Sequence, residues 1–375
     1  MIYLDYSATT PVNNEVLDTF TKATITFPGN PNSLHKLGLE SKKLIDASTK
    51  QIAKLLNIHE NEIIYTSGAT ESNNTAIEGV LSRYSSRGKH IITTKLEHSS
   101  ILETLKYFEK LGYKVSYVKL DENGQVDLDD LKQLITDETV LVTIASVNSE
   151  TGVKQDLDKI KKILLPHKKI IFHSDVTQSI GKEKIDLSPV DLASFSAQKF
   201  YGLKGIGLLI KKEHLEIDPL IKGGKSTTIY RSGTPSPALI ASMAKALRLA
   251  LDNIDEKYSK VENLNKYLVR ELQKIKEVHI NSNNYSIPHI INISIEKIKP
   301  ETMLHALEQN NIYISTKTAC SKSETISEAV YELTKNMDYA THSLRISLSY
   351  LTTKEELDIF IKVLKDQIIK LKVLS

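Results

Sequence analysis

Four segments and a lone cysteine carry groups whose type and setting could do chemistry. Lys199 closes the run Ser194-Phe195-Ser196-Ala197-Gln198-Lys199 and precedes the glycine-rich Phe200-Tyr201-Gly202-Leu203-Lys204-Gly205-Ile206-Gly207. A lysine at a strand exit beside small hydroxyl residues suits a Schiff base, because burial depresses its pKa and frees the amine; a solvated loop lysine is the plainer alternative. The glycines do not follow G-x-G-x-x-G, which argues against a dinucleotide site. Asp175, in His173-Ser174-Asp175-Val176-Thr177-Gln178, would need a cationic partner such as a protonated ring nitrogen, or else caps the next turn. In Thr66-Ser67-Gly68-Ala69-Thr70-Glu71-Ser72-Asn73-Asn74, the N–H groups of Ala69 and Thr70 could cradle an anion at a new helix, though such turns also serve simply as caps. His98, after Glu97, could stack on a ring and assist proton transfer, or be structural. Cys320 is the only cysteine. It excludes an intramolecular disulfide and a multi-thiolate zinc site, and is either a small buried hydrophobe or a nucleophile.

Most of these positions directly follow expected strands. Short apolar runs at 62–66, 89–94, 113–118, 139–145, 169–173, 191–196 and 206–211 read as buried strands, with amphipathic stretches such as 101–111 and 128–135 between them. The alternation predicts an α/β fold with a mostly parallel sheet covered on both faces. Ligands in such sheets bind beyond the carboxyl ends of the strands. Helices are expected at 14–23, 33–56, 235–253 and 257–276. The α+β tail should hold strands at 289–295 and 312–315, helices at 301–309 and from 353, and pack with the first dozen residues. The polar stretch 321–337, directly after Cys320, reads as a mobile loop.

Of 375 residues 40% are hydrophobic and 25% charged, with 49 basic against 46 acidic side chains. So small a charge excess argues for neither a direct nucleic-acid partner nor a membrane surface. The first residues lack the features of a secretory signal and no apolar stretch is long enough to span a bilayer, so a cytoplasmic protein is expected.

The motifs GATESNN (68–74), LEH (96–98), VNSETG (147–152), HSDVTQS (173–179), SFSAQKFYGLKGIG (194–207), YRSGTP (230–235), TKTAC (316–320) and LRISLS (344–349) occur in that order. The chain thereby resembles the NifS/IscS-type cysteine desulfurases, class V members of the fold-type I pyridoxal 5'-phosphate enzymes. The likeness runs from Leu4-Asp5-Tyr6-Ser7-Ala8 to the final helices. It implies a large cofactor-binding domain (14–250) with a seven-stranded sheet. A smaller α+β domain (1–13 and 251–375) would carry the cysteine loop. By the same resemblance Lys199 is the Schiff-base lysine, Asp175 pairs the pyridine nitrogen and Gln178 bonds the ring hydroxyl. His98 stacks on the ring and acts in proton transfer. Ala69, Thr70 and Ser196 hold the phosphate, with Thr234 reaching across from the partner of a homodimer. Arg345, assisted by Asn30, holds the carboxylate of the substrate L-cysteine, and Cys320 accepts its sulfur as a persulfide for an acceptor protein.

Three departures from the family pattern stand out. Gln198 replaces the usual His before the lysine and offers the phosphate an uncharged donor. Asn-Asn-Glu becomes Asn148-Ser149-Glu150, which puts a cofactor contact from Ser149 in doubt. The stretch 223–230 lacks an expected Gly and Gln/His-Glu. The segments 199–205, 288–294 and 312–315 look most like a bacterial subgroup associated with 4-thiouridine in tRNA rather than general iron–sulfur assembly. Selenocysteine lyase, simple aminotransferase and a catalytically idle scaffold remain as alternatives, the first two distinguished by whether Cys320 is needed.

Overall fold

The computed structural model describes residues 1–316 and 326–374. The chain enters through β1 (Ile2–Tyr3), α1 (Asn14–Thr26) and α2 (Lys36–Leu56). An alternating stretch follows: β2 (Ile63–Thr66), α3 (Ala69–Arg83), β3 (His90–Thr93), α4 (Ser99–Lys110), β4 (Lys114–Tyr117), α5 (Leu128–Leu134), β5 (Thr139–Thr143), α6 (Leu157–Leu164), β6 (Ile171–Asp175), β7 (Leu192–Ser196) and β8 (Gly207–Lys211). Two helices, α7 (Pro237–Leu251) and α8 (Ile254–Leu272), lead into the tail. There β9 (Val278–Ile280), β10 (Ile290–Ile295), α9 (Pro300–Glu308), β11 (Ile312–Tyr313), α10 (Glu328–Thr334), α11 (Met337–Thr341), β12 (Ser343–Ser347) and α12 (Lys354–Leu374) complete the chain.

The seven strands expected from their apolar runs form one sheet in the order β2-β8-β7-β6-β5-β3-β4. Their ends fall within two residues of the sequence reading. Neighbours from β7 to β4 are parallel, and β8 is antiparallel to both β7 and β2. The two reversals leave β2 running with β7. Hence β2, β3, β5, β6 and β7 all end at the edge where β8 begins, and the turns after them converge there. Residues such as Phe172, Phe195 and Leu208 pack under α2 and α7, while Ile64, Ile91 and Leu209 pack under α3 and α4. Both faces are therefore covered, as continuous apolar strands require.

A further apolar cluster joins Ile2 and Leu4 to side chains from Val261 to Ile368. It surrounds a three-stranded antiparallel sheet, β12-β10-β9, and a two-stranded parallel one, β1-β11. β12 escaped the sequence reading because Ser343-Leu344-Arg345-Ile346-Ser347 mixes serines and an arginine into a fully buried strand. The expected loop at 321–337 needs correcting over its second half. Residues 328–334 and 337–341 are helical, nucleated by Ser327, whose side chain accepts from Val330 N, and by Asn336, which accepts from Asp338 N and Tyr339 N. Helices this short carry too little periodicity to show in the sequence, whereas their caps are local hydrogen bonds.

Candidate active site

A cavity of about 360 Å3 opens at the shared edge of the sheet. Each side of it follows from a strand ending. After β2 the chain turns through Gly68 into α3, whose N-cap makes no side-chain hydrogen bond, so the N–H groups of its first turn have no partner within the helix. Ala69 and Thr70 lie there, facing the cavity with Ser196 from the end of β7. Close approach demands glycine at 207: a Cβ would sit 2.6 Å from Gly68 Cα and 2.7 Å from the Phe195 carbonyl. Glu71 folds back onto the turn, accepting from Ser67 N at 2.8 Å and from Arg231 Nε at 2.9 Å. Burial favours its neutral form, but the bonds from Arg231 and Ser67 outweigh that and hold its pKa below the usual carboxylate value.

On the opposite side, Asp175 ends β6, buried. Its Oδ1 accepts from Thr177 N at 2.9 Å and its Oδ2 from Asn73 Nδ2 at 2.8 Å. Asn73 also donates to Ser100 Oγ at 2.9 Å, and Ser100 Oγ lies 2.9 Å from His98 Nδ1. Ser100 N donates to that same Nδ1 at 3.1 Å, which places the proton of neutral His98 on Nε2. Burial pushes the His98 pKa down, partly opposed by Asp175. One network thus orients both side chains expected against the cofactor ring. Asn73 was legible only as part of a motif; its role needed the structure. His173, from the same motif as Asp175, instead ties β5 to β7 through Thr143 and Ser194, and burial holds its pKa near 4.

Lys199 follows β7 and donates to the carbonyls of Ser7 and Ala8 at 2.8 and 2.6 Å. Gln178 Nε2 shares the Ser7 acceptor at 3.0 Å. Arg345, with 2% of its surface exposed, reaches from β12 to the cavity. Its guanidinium donates to the Ser149 carbonyl at 2.9 Å and to Asp5 Oδ1 at 3.0 Å, and its buried Nε has no partner among the described residues. Burial raises the Asp5 pKa and Arg345 opposes the rise. Ser149 therefore holds Arg345 with its backbone, while its side-chain position, like that of Gln198, lies on the cavity wall. The N-terminal residues Ser7 and Ala8 were missed in the sequence because they contribute backbone oxygens, which residue type does not reveal.

Two expected residues stand elsewhere. Asn30 is exposed in the turn before α2, where its Oδ1 accepts from Asn32 N at 3.0 Å; the structure does not bring it into the cavity. Thr234 is exposed and lines a neighbouring cavity with Ser67 and Arg231. Cys320 lies outside the described residues. The chain on either side of its segment is anchored at the site: Ser315 pairs with Arg345, and Ser327 Oγ donates to Glu150 Oε2 at 2.5 Å.

The donor set suits an aldehyde cofactor carrying a phosphate and a ring nitrogen. Uncapped helix N–H groups with Ser196 suit the phosphate, Asp175 a protonated ring nitrogen, and Lys199 the aldehyde. The Arg345 guanidinium, on the cavity wall, suits a substrate carboxylate.

A family model described as Aminotransferase class-V matches residues 2–360. A protein of Lactobacillus delbrueckii subsp. bulgaricus named NifS/IcsS protein homolog is 41% identical over 371 residues, covering 96% of this chain and 95% of that protein. The cysteine desulfurase IscS of Dictyoglomus turgidum is 38% identical over 379 residues, covering 100% and 96%. Among solved structures, one titled NifS-like protein superposes with a TM-score of 0.92 at 34% identity, covering 97% of this chain and 98% of that one.

Proposed function

The chain belongs to the aminotransferase class-V family, and we propose that within it the protein is a cysteine desulfurase, converting L-cysteine to L-alanine with sulfur passed to Cys320. Members of the family depend on pyridoxal 5'-phosphate. Bound at this site, the cofactor supplies an electron sink that acidifies the substrate Cα proton. The observation that carries the reading is the convergence of Lys199, Asp175, His98 and Arg345 on one cavity.

Arg345 grips the substrate carboxylate, already held in place by Asp5 and the Ser149 carbonyl. Lys199 Nζ, among backbone acceptors, is placed to take the Cα proton. Asn73 keeps Asp175 directed at the ring nitrogen. The Cys320 thiolate attacks the substrate sulfur; a C–S bond breaks, an S–S bond forms, and the electron pair left on carbon takes up a proton to give the alanine methyl group. Ser315, five residues before Cys320, sits beside Arg345, so chain length alone lets the thiol lie anywhere within about 17 Å of that point.

The proposal includes two domains, 14–250 and 1–13 with 251–375, in keeping with the separate apolar clusters. It also includes a homodimer in which Thr234 completes the partner's phosphate site. Exposed Ile25, Leu34, Leu37 and Ile229 support such an interface, as does the groove shared by Lys42, Ile45 and the 225–230 stretch. The acceptor is a protein of tRNA thiolation or of iron–sulfur assembly; loss of 4-thiouridine with iron–sulfur enzymes intact on gene deletion selects the first.

The deciding experiment measures sulfide and alanine release from L-cysteine under reductant, wild type beside Cys320→Ala. Equimolar products that vanish in the variant support the desulfurase. Alanine formation that survives it moves the chemistry away from Cys320.

A further inference from the structure

Lys182 is a buried lysine with 8% of its surface exposed, four residues beyond Gln178. Its Nζ donates to Gln178 Oε1. The other end of that amide donates from Nε2 to the Ser7 carbonyl at 3.0 Å. A carbonyl only accepts, so the pair of bonds fixes the amide: nitrogen towards Ser7, oxygen towards Lys182. Nε2 has two hydrogens, and one serves Ser7. The second is left for the cavity that Gln178 lines.

The surroundings are hostile to a cation. Lys199 and Arg345 are the nearby positive groups and Glu183 the nearby acid. Glu183 is already paired with Lys154 at 2.6 Å. Buried His289, whose pKa burial and Lys182 together push down to about 3, adds no compensating charge. Burial first, then the two cations, drives the Lys182 pKa well below its ordinary value. An apolar side chain would avoid this desolvation, so the residue at 182 is explained by its donor rather than by packing.

We propose that Lys182 is a positioning residue: by holding Gln178 Oε1 it keeps the second amide N–H aimed at the hydroxyl of the cofactor ring. The proposal rests on the assignment of Gln178 to that hydroxyl. A donor there stabilises the oxygen in its anionic form and lowers the pH at which the bound chromophore gains its proton. Lys182 thereby tunes the cofactor without touching it.

The test is a pH titration of the visible absorbance band of the holoenzyme, for wild type, Lys182→Met, Lys182→Gln, Gln178→Leu and the Lys182→Met/Gln178→Leu double variant. Lys182→Met should raise the midpoint by about one pH unit, and Gln178→Leu by at least as much. The double variant should move no further than Gln178→Leu alone. Lys182→Gln, which keeps a donor without an ionisable amine, should restore the wild-type midpoint, and it remains readable if Lys182→Met fails to fold. An unmoved midpoint in Lys182→Met beside a shifted Gln178→Leu overturns the proposal. A shift that adds to that of Gln178→Leu, or that Lys182→Gln leaves in place, overturns it in favour of a through-space charge. An unmoved midpoint in Gln178→Leu removes the assignment on which the proposal rests.

Discussion

Ser315 and Arg345 face each other in an antiparallel bridge, each backbone N–H meeting the other's carbonyl at 3.1 and 2.7 Å. Arg345, the proposed anchor of the substrate carboxylate, is thus joined to the chain five residues before Cys320. The guanidinium spends separate N–H groups on Ser149 and Asp5 while the side chain lines the cavity. A lysine ammonium is a point charge and cannot span those directions. Arg345→Lys should therefore raise KM for L-cysteine about a hundredfold or more, in line with 2–5 kcal/mol for breaking a buried charged pair. Steady-state kinetics with a parallel cofactor absorbance spectrum checks this; the spectrum should be retained.

Asn73 makes a second kind of prediction, because it acts through Asp175 and is not among the residues lining the cavity. Asn73→Ala removes the 2.8 Å donor to Asp175 and the 2.9 Å donor to Ser100 together. A hydrogen bond to a charged group is worth about 1.5–3 kcal/mol. Turnover should fall roughly 10- to 100-fold with cofactor content unchanged, measured as kcat per mole of bound cofactor.

The central sheet was legible because its strands are buried on both faces and so read as unbroken apolar runs. Lys199, Asp175 and His98 were legible because each follows such a run and is of a chemically distinctive type. β12 was not, since its buried arginine is held by Asp5 and Ser149 and its Ser347 hydroxyl by Ser7 and Leu4, partners distant in sequence. Ser7 and Ala8 were not, because a backbone oxygen looks the same under every side chain. Nothing in the sequence singles out Lys182; its burial and its bond to Gln178 Oε1 show only in the structure.

Gly207 should be intolerant of even one methyl group. The Cβ of Gly207→Ala would meet backbone on two sides, Gly68 Cα at 2.6 Å and the Phe195 oxygen at 2.7 Å. Overpacking of that kind costs about 1–3 kcal/mol. Part of the cost falls on the turn that opens α3, so cofactor affinity should drop about tenfold, or 1.4 kcal/mol. Titrating the cofactor-free variant with pyridoxal 5'-phosphate reads this directly.

Glu97 gives the stability of the protein a pH dependence. Its buried carboxyl accepts from Ala145 N at 3.0 and 3.1 Å and from Thr94 Oγ1 at 2.8 Å. Burial nonetheless raises its pKa to about 8, against an ordinary 4.5. Between those values the folded chain keeps a proton that the unfolded chain has released, so stability attributable to this group falls as pH rises from about 4.5 to 8. Glu97→Gln preserves the acceptor oxygen and replaces the carboxylic O–H with an amide donor, removing the titration. Relative to wild type, the variant should gain stability steadily across that window, most at pH 8. Urea unfolding at pH 5, 6.5 and 8 measures the difference; a constant offset at all three would mean that Glu97 ionises as readily in the folded protein as in the unfolded chain.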